Sequence, residues 1–160
     1  MSSVLSEIRT ARRRAYLHRD RRYVAEFCAW AFPQDPTWIN LRVGPVPLEL
    51  RLRYPQLDVD RWARVWAKTA DAVVITPSHL VLIEGELRRP IAAIGELVVY
   101  RSMVRQTTAL ADYASLPIRT ILLTPIPDPS LEAVLRDLQL EVVIYMPEWV
   151  GDYLREVQRL

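Results

Sequence analysis

Two short apolar segments, joined by a tight turn and followed at once by a helix, constrain the fold of this chain most strongly. Residues 72–76 form a β-branched run, a Pro-Ser pair forms a turn, and residues 79–87 (HLVLIEGEL) form a second strand. Pro90 predicts the first turn of a helix that continues to about Gln106, because proline is well tolerated at that position. A hairpin followed by a helical crossover predicts a mixed sheet with helices on its faces.

The rest of the chain alternates between helical and strand periodicity. Helical spacing is found at 3–31, 59–68, after Ser130 and at 151–160, and strand patterns are found at 38–43, 48–54 (a strand or hairpin arm), 118–124 and 141–145. On the longest of its later helices, Ile91, Ile94, Val98 and Met103 are expected to face the core. We therefore expect one α/β domain over 1–160, in the order α-β-β-β-α-β-α-β-α, whose residues 1–32 form a basic helical region.

Composition agrees with a single compact domain. The 160 residues are 51% hydrophobic, which allows a sizeable core. No apolar run is long enough to cross a bilayer, and the N-terminal segment lacks the apolar stretch of a signal peptide. These features predict a cytoplasmic protein without a membrane partner, or a virion-associated one if the source is a phage. The single cysteine, Cys28, is expected in the core, and the arginine and proline content fits a thermophilic source.

Three acidic residues fall on the predicted hairpin. Asp71 opens its first strand, whereas Glu84 and Glu86 are two apart on the second and therefore project from the same face. Burial of three adjacent carboxylates is costly without a cation, and magnesium prefers carboxylate and water oxygens. The spacing alone also allows a solvated strand face on which Arg88 and Arg89 are surface partners.

The segment 70–104, ADAVVITPSHLVLIEGELRRPIAAIGELVVYRSMV, resembles the PD-(D/E)xK nuclease superfamily. The similarity extends in element order over about residues 60–125. In the family's motifs, Asp71 matches the aspartate of the second core strand, Glu84, Gly85 and Glu86 match E-x-K, and Glu96 and Tyr100 match Q-x-x-x-Y. Two positions depart from the pattern, since Glu86 replaces the lysine and Glu96 replaces the glutamine.

The resemblance implies a restriction-endonuclease-like fold, a mixed β-sheet flanked by helices, and hydrolysis of DNA with magnesium or manganese. The metal ligands it implies are Asp71, Glu84, the carbonyl of Gly85, and Glu86 as an added ligand. On this hypothesis the catalytic residues are Asp71, Glu84, Glu86 and Lys68, and Arg88 or Lys68 is the charge partner. Glu96 is an accessory acid, and Glu26 matches the further acid that some branches carry on the first helix.

Glu86 leaves three outcomes open, because it has the opposite charge to the family's lysine. The site can hold more metal, with Glu86 as a ligand. The cation can be relocated to Lys68 or to one of Arg88, Arg89 and Arg101. Catalysis can also be lost, with the fold kept for DNA binding or for assembly in a phage virion, a defence complex or a transposition complex. An unrelated small enzyme with the same α/β layout is a further alternative.

Basic and aromatic residues indicate where partners bind. The residues predicted to contact nucleic acid are Arg12, Arg13, Arg19, Arg22, Arg88, Arg89 and Tyr100. An arginine-rich helix face is also commonly just solvated, and Tyr100 also suits packing on the sheet. Trp62 and Trp66, four residues apart, predict a surface for a protein partner or a homo-oligomer.

Overall fold

The computed structural model describes residues 19–45, 52, 68–88 and 90–158. Four helices and five strands make up this part of the chain, together with short 3-10 turns. The helices are α1 (19–31), α2 (Pro90–Met103), α3 (Glu132–Asp137) and α4 (Glu148–Gln158), and the strands are β1 (Thr37–Val43), β2 (Lys68–Ile75), β3 (Leu80–Gly85), β4 (Ile118–Thr124) and β5 (Glu141–Ile144).

The five strands form one mixed sheet in the order β1-β2-β3-β4-β5. The first three strands pair antiparallel, and β3, β4 and β5 pair parallel through helical crossovers. The expected α/β class, the single domain and the order α-β-β-β-α-β-α-β-α are confirmed for the described residues. The β2–β3 turn is closed by Thr76, whose backbone N–H donates to the carbonyl of His79 at 2.9 Å.

Helices cover both faces of the sheet. One face packs against α2 and α3 through a cluster that includes Leu82, Leu97 and Leu135. The other face packs against α1 and α4 through a cluster that includes Phe27, Ile83 and Val150. Cys28 belongs to this second cluster, so its expected place in the core is confirmed.

Several predicted boundaries and faces are wrong. Strand β3 ends at Gly85, so Glu86 lies beyond the strand alternation that placed it beside Glu84. Ser130 does not cap a helix directly: it lies in a 3-10 turn whose cap is Asp128, and α3 begins after that turn. Helix α4 begins at Glu148 rather than at 151, because its first turn includes residues that the sequence pattern left in a loop.

The buried face of α2 also differs from the prediction. Ile91 is 72% exposed, and the buried residues are Ala93, Ile94, Leu97 and Tyr100. The prediction is confirmed for Ile94, and Val98 packs against the same core while partly buried. The prediction for Ile91 is wrong.

Some predictions concern residues outside the described ranges. These are Arg12, Arg13, Arg89, Trp62 and Trp66, most of the 59–68 helix, and nearly all of the 48–54 strand. Leu52, the one described residue of that strand prediction, is helical rather than extended. Within the described ranges, no helix has the length and apolar character needed to span a membrane.

Candidate carboxylate site

Asp71 and Glu84 meet where strands β2 and β3 diverge. The backbone N–H of Asp71 donates to Glu84 Oε1 at 2.9 Å, and the backbone N–H of Gly85 donates to Asp71 Oδ2 at 3.0 Å. Each carboxylate therefore accepts a backbone hydrogen bond from the opposite strand, in place of a ladder bond. This reciprocal pairing fixes the two side chains next to each other, as the predicted hairpin required.

The strand pairing is also interrupted on the other side of Asp71, between β2 and β1. The β1–β2 register pairs Ile39 with Ala72 and Leu41 with Ala70, but Asn40 and Asp71, which lie opposite each other, are missing from the pairing. Asn40 has φ +56°, a left-handed conformation that asparagine adopts more readily than most residues. The edge of the sheet is therefore kinked directly beside Asp71.

Burial makes the two carboxylates hold protons more tightly than usual. The Glu84 side chain is only 4% exposed, and burial followed by the charge of Asp71 raises its pKa. Burial also raises the pKa of Asp71, against the opposing effect of the Gly85 and Glu84 hydrogen bonds. Two adjacent carboxylates in so little solvent cannot both ionise cheaply, so a nearby cation would favour their charged forms.

Helix α2 places Glu96 and Tyr100 next to Glu84. Burial and the charge of Asp71 raise the pKa of Glu96, although a hydrogen bond with Glu84 and the nearby Lys68 act in the opposite direction. Tyr100 is 4% exposed, and burial, followed by the charge of Glu84, raises its pKa. Tyr100 packs on the sheet beside the site, as the alternative interpretation expected, and its contact with nucleic acid stays a prediction.

Asp20 on α1 is a site residue that the sequence analysis missed. Burial raises its pKa to about 7, and the next causes are the charges of Glu86 and Asp71. Its Oδ1 atom is buried without a hydrogen-bond partner among the described residues. One sequence signal was available for Asp20. It lies four residues before Val24, an apolar residue of the helical pattern, and residues four apart share a helix face.

Gly85 controls how closely α1 approaches the sheet. A Cβ atom at Gly85 would lie 2.3 Å from Val24 Cγ2, far inside van der Waals contact. Val24 is fully buried and, as a β-branched residue, has little rotamer freedom to move away. The glycine in the middle of the E-x-K-like tripeptide therefore allows α1 to bring Asp20 to the site.

Glu86 lies at the border of the site rather than on a strand. Its Oε1 accepts a hydrogen bond from the backbone N–H of Arg88 at 2.9 Å, within the turn that leads to α2. Its charge contributes to the raised pKa of Asp20, Asp71 and Glu96. Glu86 thus increases the negative potential of the site.

Glu26, the accessory acid that the resemblance implies, is hydrogen-bonded to residues of α1 and α4. Glu26 accepts hydrogen bonds from Arg22 Nε at 2.7 Å and from Trp149 Nε1 at 2.6 Å, and so joins α1 to α4. Burial acts to raise its pKa, but these two hydrogen bonds outweigh that effect and lower it. The acidic residue that α1 contributes to the site is Asp20, about one and a half turns earlier.

Positive charges surround the carboxylates. Lys68 is exposed at the start of β2, close enough to Glu96 to affect its pKa. Arg21 acts on Asp71, and Arg19 and Arg88 act on Asp20, in each case lowering the pKa. The site is therefore an acidic centre with basic residues at its rim. Helix α1, strand β2 and the turn before α2 contribute these basic side chains.

Among the residues that the structure describes, no group of three or more His, Cys, Asp or Glu side chains is arranged so that it could hold a metal ion. The chemical options of the site are those of the Asp71–Glu84 pair and its neighbours: exchange of a proton, or binding of a cation by two carboxylates. Comparison of the chain with protein-family models, with curated proteins and with solved structures gives no match.

Proposed function

We propose that this chain has a restriction-endonuclease-like fold and hydrolyses phosphodiester bonds of DNA with magnesium or manganese. The observation that carries the proposal is the reciprocal pairing of Asp71 and Glu84 across the point where β2 and β3 separate. The buried Glu84 and the half-buried Asp71, fixed side by side with raised pKa values, form a binding place for a hard cation.

The oxygens present suit magnesium. In phosphoryl-transfer sites this ion is commonly bound through one or two carboxylates, while water and substrate phosphate oxygens complete its coordination. Asp71 and Glu84 meet that requirement without a third side chain, and the resemblance adds the carbonyl of Gly85. The buried, unpartnered Oδ1 of Asp20 supports the same conclusion, because a buried acceptor without a donor is explained by an ion or water.

A bound magnesium ion would supply polarisation of the phosphoryl group and activation of water. The protein's own residues would set the geometry: the backbone N–H groups of Asp71 and Gly85 orient the two carboxylates, and Gly85 admits α1 with Asp20. The basic rim would attract and orient the DNA backbone. Glu86 would act as an added acidic group close to the cation.

Cleavage of supercoiled plasmid and of single-stranded DNA, with magnesium or manganese, tests this proposal. We expect cleavage that stops when the metal is chelated and that falls by about 100-fold or more in Asp71→Asn and Glu84→Gln, because each removes a charged ligand. Glu141→Gln is the matched control, since that carboxylate pairs with Arg119 on the surface of β5. Cleavage that survives chelation, or that is equally lost in the control, contradicts the proposal.

A second candidate function is a nuclease-fold protein without catalysis, which binds DNA or serves as an assembly subunit. It is favoured by one observation: Glu86, in the lysine position, closes the turn before α2 and adds negative charge. This candidate predicts DNA binding without cleavage in any metal. In that case, gain of cleavage in Glu86→Lys would identify the missing lysine as the cause, whereas cleavage by the unaltered chain contradicts the candidate.

A further inference from the structure

Two arginines at the rim of the carboxylate site converge on one tyrosine. The guanidinium carbon of Arg19, on α1, lies 4.6 Å from the ring centroid of Tyr153, and that of Arg88 lies 5.1 Å from it. Tyr153 belongs to α4 and is 6% exposed. Three segments distant in sequence therefore bring two positive charges to one buried aromatic ring.

This cluster borders the carboxylates directly. Arg19 and Arg88 are also the two positive charges that lower the pKa of Asp20. The charges of Glu86 and Asp71 raise the pKa of the same carboxyl group. The backbone N–H of Arg88 also donates to Glu86 Oε1, and Arg19 adjoins Asp20 on α1, so the two arginines lie at the border of the carboxylate site.

The hydroxyl of Tyr153 has an unusual environment. It is buried, and it has no hydrogen-bond partner among the residues that the structure describes. Buried polar groups are almost always paired, and an unpaired one commonly marks the place of a water molecule or a ligand. A hydroxyl donor beside two guanidinium groups is suited to an anion with several oxygen acceptors.

A neighbouring arginine provides a contrast. Arg22 also lies over an aromatic ring of α4, with its guanidinium carbon 4.4 Å from the centroid of Trp149. Its Nε donates to Glu26, and the indole N–H of Trp149 donates to the second oxygen of the same carboxylate. The aromatic donor of that cluster is therefore hydrogen-bonded, whereas the Tyr153 hydroxyl is not.

We propose that Arg19, Arg88 and Tyr153 form a subsite for a DNA phosphate that neighbours the one at the carboxylate pair. This inference rests on the proposed function for its place in the reaction. Arginine binds phosphate through paired N–H donors, and both side chains are flexible enough to turn from the ring towards an anion. That movement opens the ring edge that carries the hydroxyl, which then donates to the phosphate.

Binding of fluorescently labelled single-stranded DNA, measured by anisotropy over a range of salt concentrations, tests the subsite. The full chain is used with Asp71→Asn in every sample, so that cleavage does not affect the measurement. We expect the pair Arg19→Gln with Arg88→Gln to weaken binding at least tenfold and to reduce the salt slope by about 0.7 for each phosphate that is no longer neutralised. Arg119→Gln, the matched control at an exposed arginine that pairs with Glu141, is expected to change affinity by less than twofold.

Tyr153→Phe separates a binding role from a purely structural one. If the hydroxyl donates to phosphate, the variant binds DNA at least threefold more weakly while its melting temperature is unchanged or higher, because an unpaired buried group has been removed. Unchanged affinity in Tyr153→Phe, an unchanged salt slope in the double arginine variant, an equal loss in Arg119→Gln, or absence of DNA binding overturns the subsite.

The phosphate subsite and the proposed cleavage reaction can be refuted independently of each other. If the unaltered chain cleaves DNA but binding does not depend on Arg19 and Arg88, the subsite is wrong and the proposed reaction stands. If the unaltered chain cleaves nothing but binding depends on both arginines and on Tyr153, the phosphate site stands and the reaction is wrong.

Discussion

At the scale of single residues, the site depends on carboxyl groups placed where water cannot fully solvate them. Glu84 is almost completely buried, and Asp20 has an oxygen with no described partner. Both groups have raised pKa values for the same first reason, burial, and a neighbouring charge is the next cause in each case. Such residues lower stability at neutral pH, and this cost is typical of functional sites.

Asp20→Asn is expected to stabilise the metal-free protein at pH 8 but not at pH 4. Because the pKa of Asp20 is raised from 3.8 to about 7, the stability of the folded state falls as the pH rises from 3.8 to about 7, and the full loss is present above that range. The gain at pH 8 is about 1 to 2 kcal/mol after discounting for solvent screening. Urea unfolding at the two pH values measures it, and equal gains at both contradict the assignment.

At the scale of elements, the position of helix α1 decides which acid reaches the site. Val24 packs directly on Gly85, so the helix lies close to β3 and brings Asp20 towards Asp71. The same helix is tied to α4 by the Arg22, Glu26 and Trp149 contacts. The tilt and depth of one helix therefore determine both the acidic centre and part of the basic rim.

Gly85→Ala is expected to destabilise the protein by about 1 to 3 kcal/mol, because the added methyl group overlaps buried Val24. Gly95→Ala is the matched control. Gly95 lies on the exposed side of α2, and no atom lies within 4 Å of the point that an alanine methyl group would occupy. Alanine there should raise the free energy of unfolding by about 0.5 to 1 kcal/mol. Chemical denaturation measures both, and equal effects would contradict the close helix–strand contact.

At the scale of the whole molecule, the site joins the two layers of helices through the sheet. Glu96 comes from the layer on one face, Asp20 from the layer on the other, and Asp71 and Glu84 from the strands between them. A cation bound at the centre would therefore stabilise contacts on both faces. Binding to the folded state alone raises stability through mass action.

Manganese or magnesium is expected to raise the melting temperature of the unaltered chain in a concentration-dependent way. At 100 times the dissociation constant the stabilisation is about 2.7 kcal/mol. Glu84→Gln should abolish the shift, whereas Glu141→Gln, at an exposed pair on β5, should retain it. Differential scanning calorimetry measures the shift, and an equal shift in both variants would indicate nonspecific binding.

Local pattern was sufficient for most of the elements. Strand β4 occurs at the predicted residues, the hairpin turn is closed by Thr76 and His79, and α2 begins at Pro90. Strand alternation and proline geometry are properties of neighbouring residues, so they can be recognised without the fold. The predictions for Ile91 and Ser130 failed because the depth of a helix on a sheet and the choice between competing caps depend on tertiary packing.

The sequence by itself determined the α/β order of this protein and the meeting of Asp71 with Glu84, because a tight hairpin forces adjacent strands into register. Only the tertiary structure decided that Asp20 and not Glu26 completes the acidic centre, that Tyr100 is buried, and that Arg19 and Arg88 share Tyr153. These relations join residues far apart in the chain. They depend on the few ångströms by which α1 and α4 approach the sheet, a distance set by packing at Gly85 and along α4.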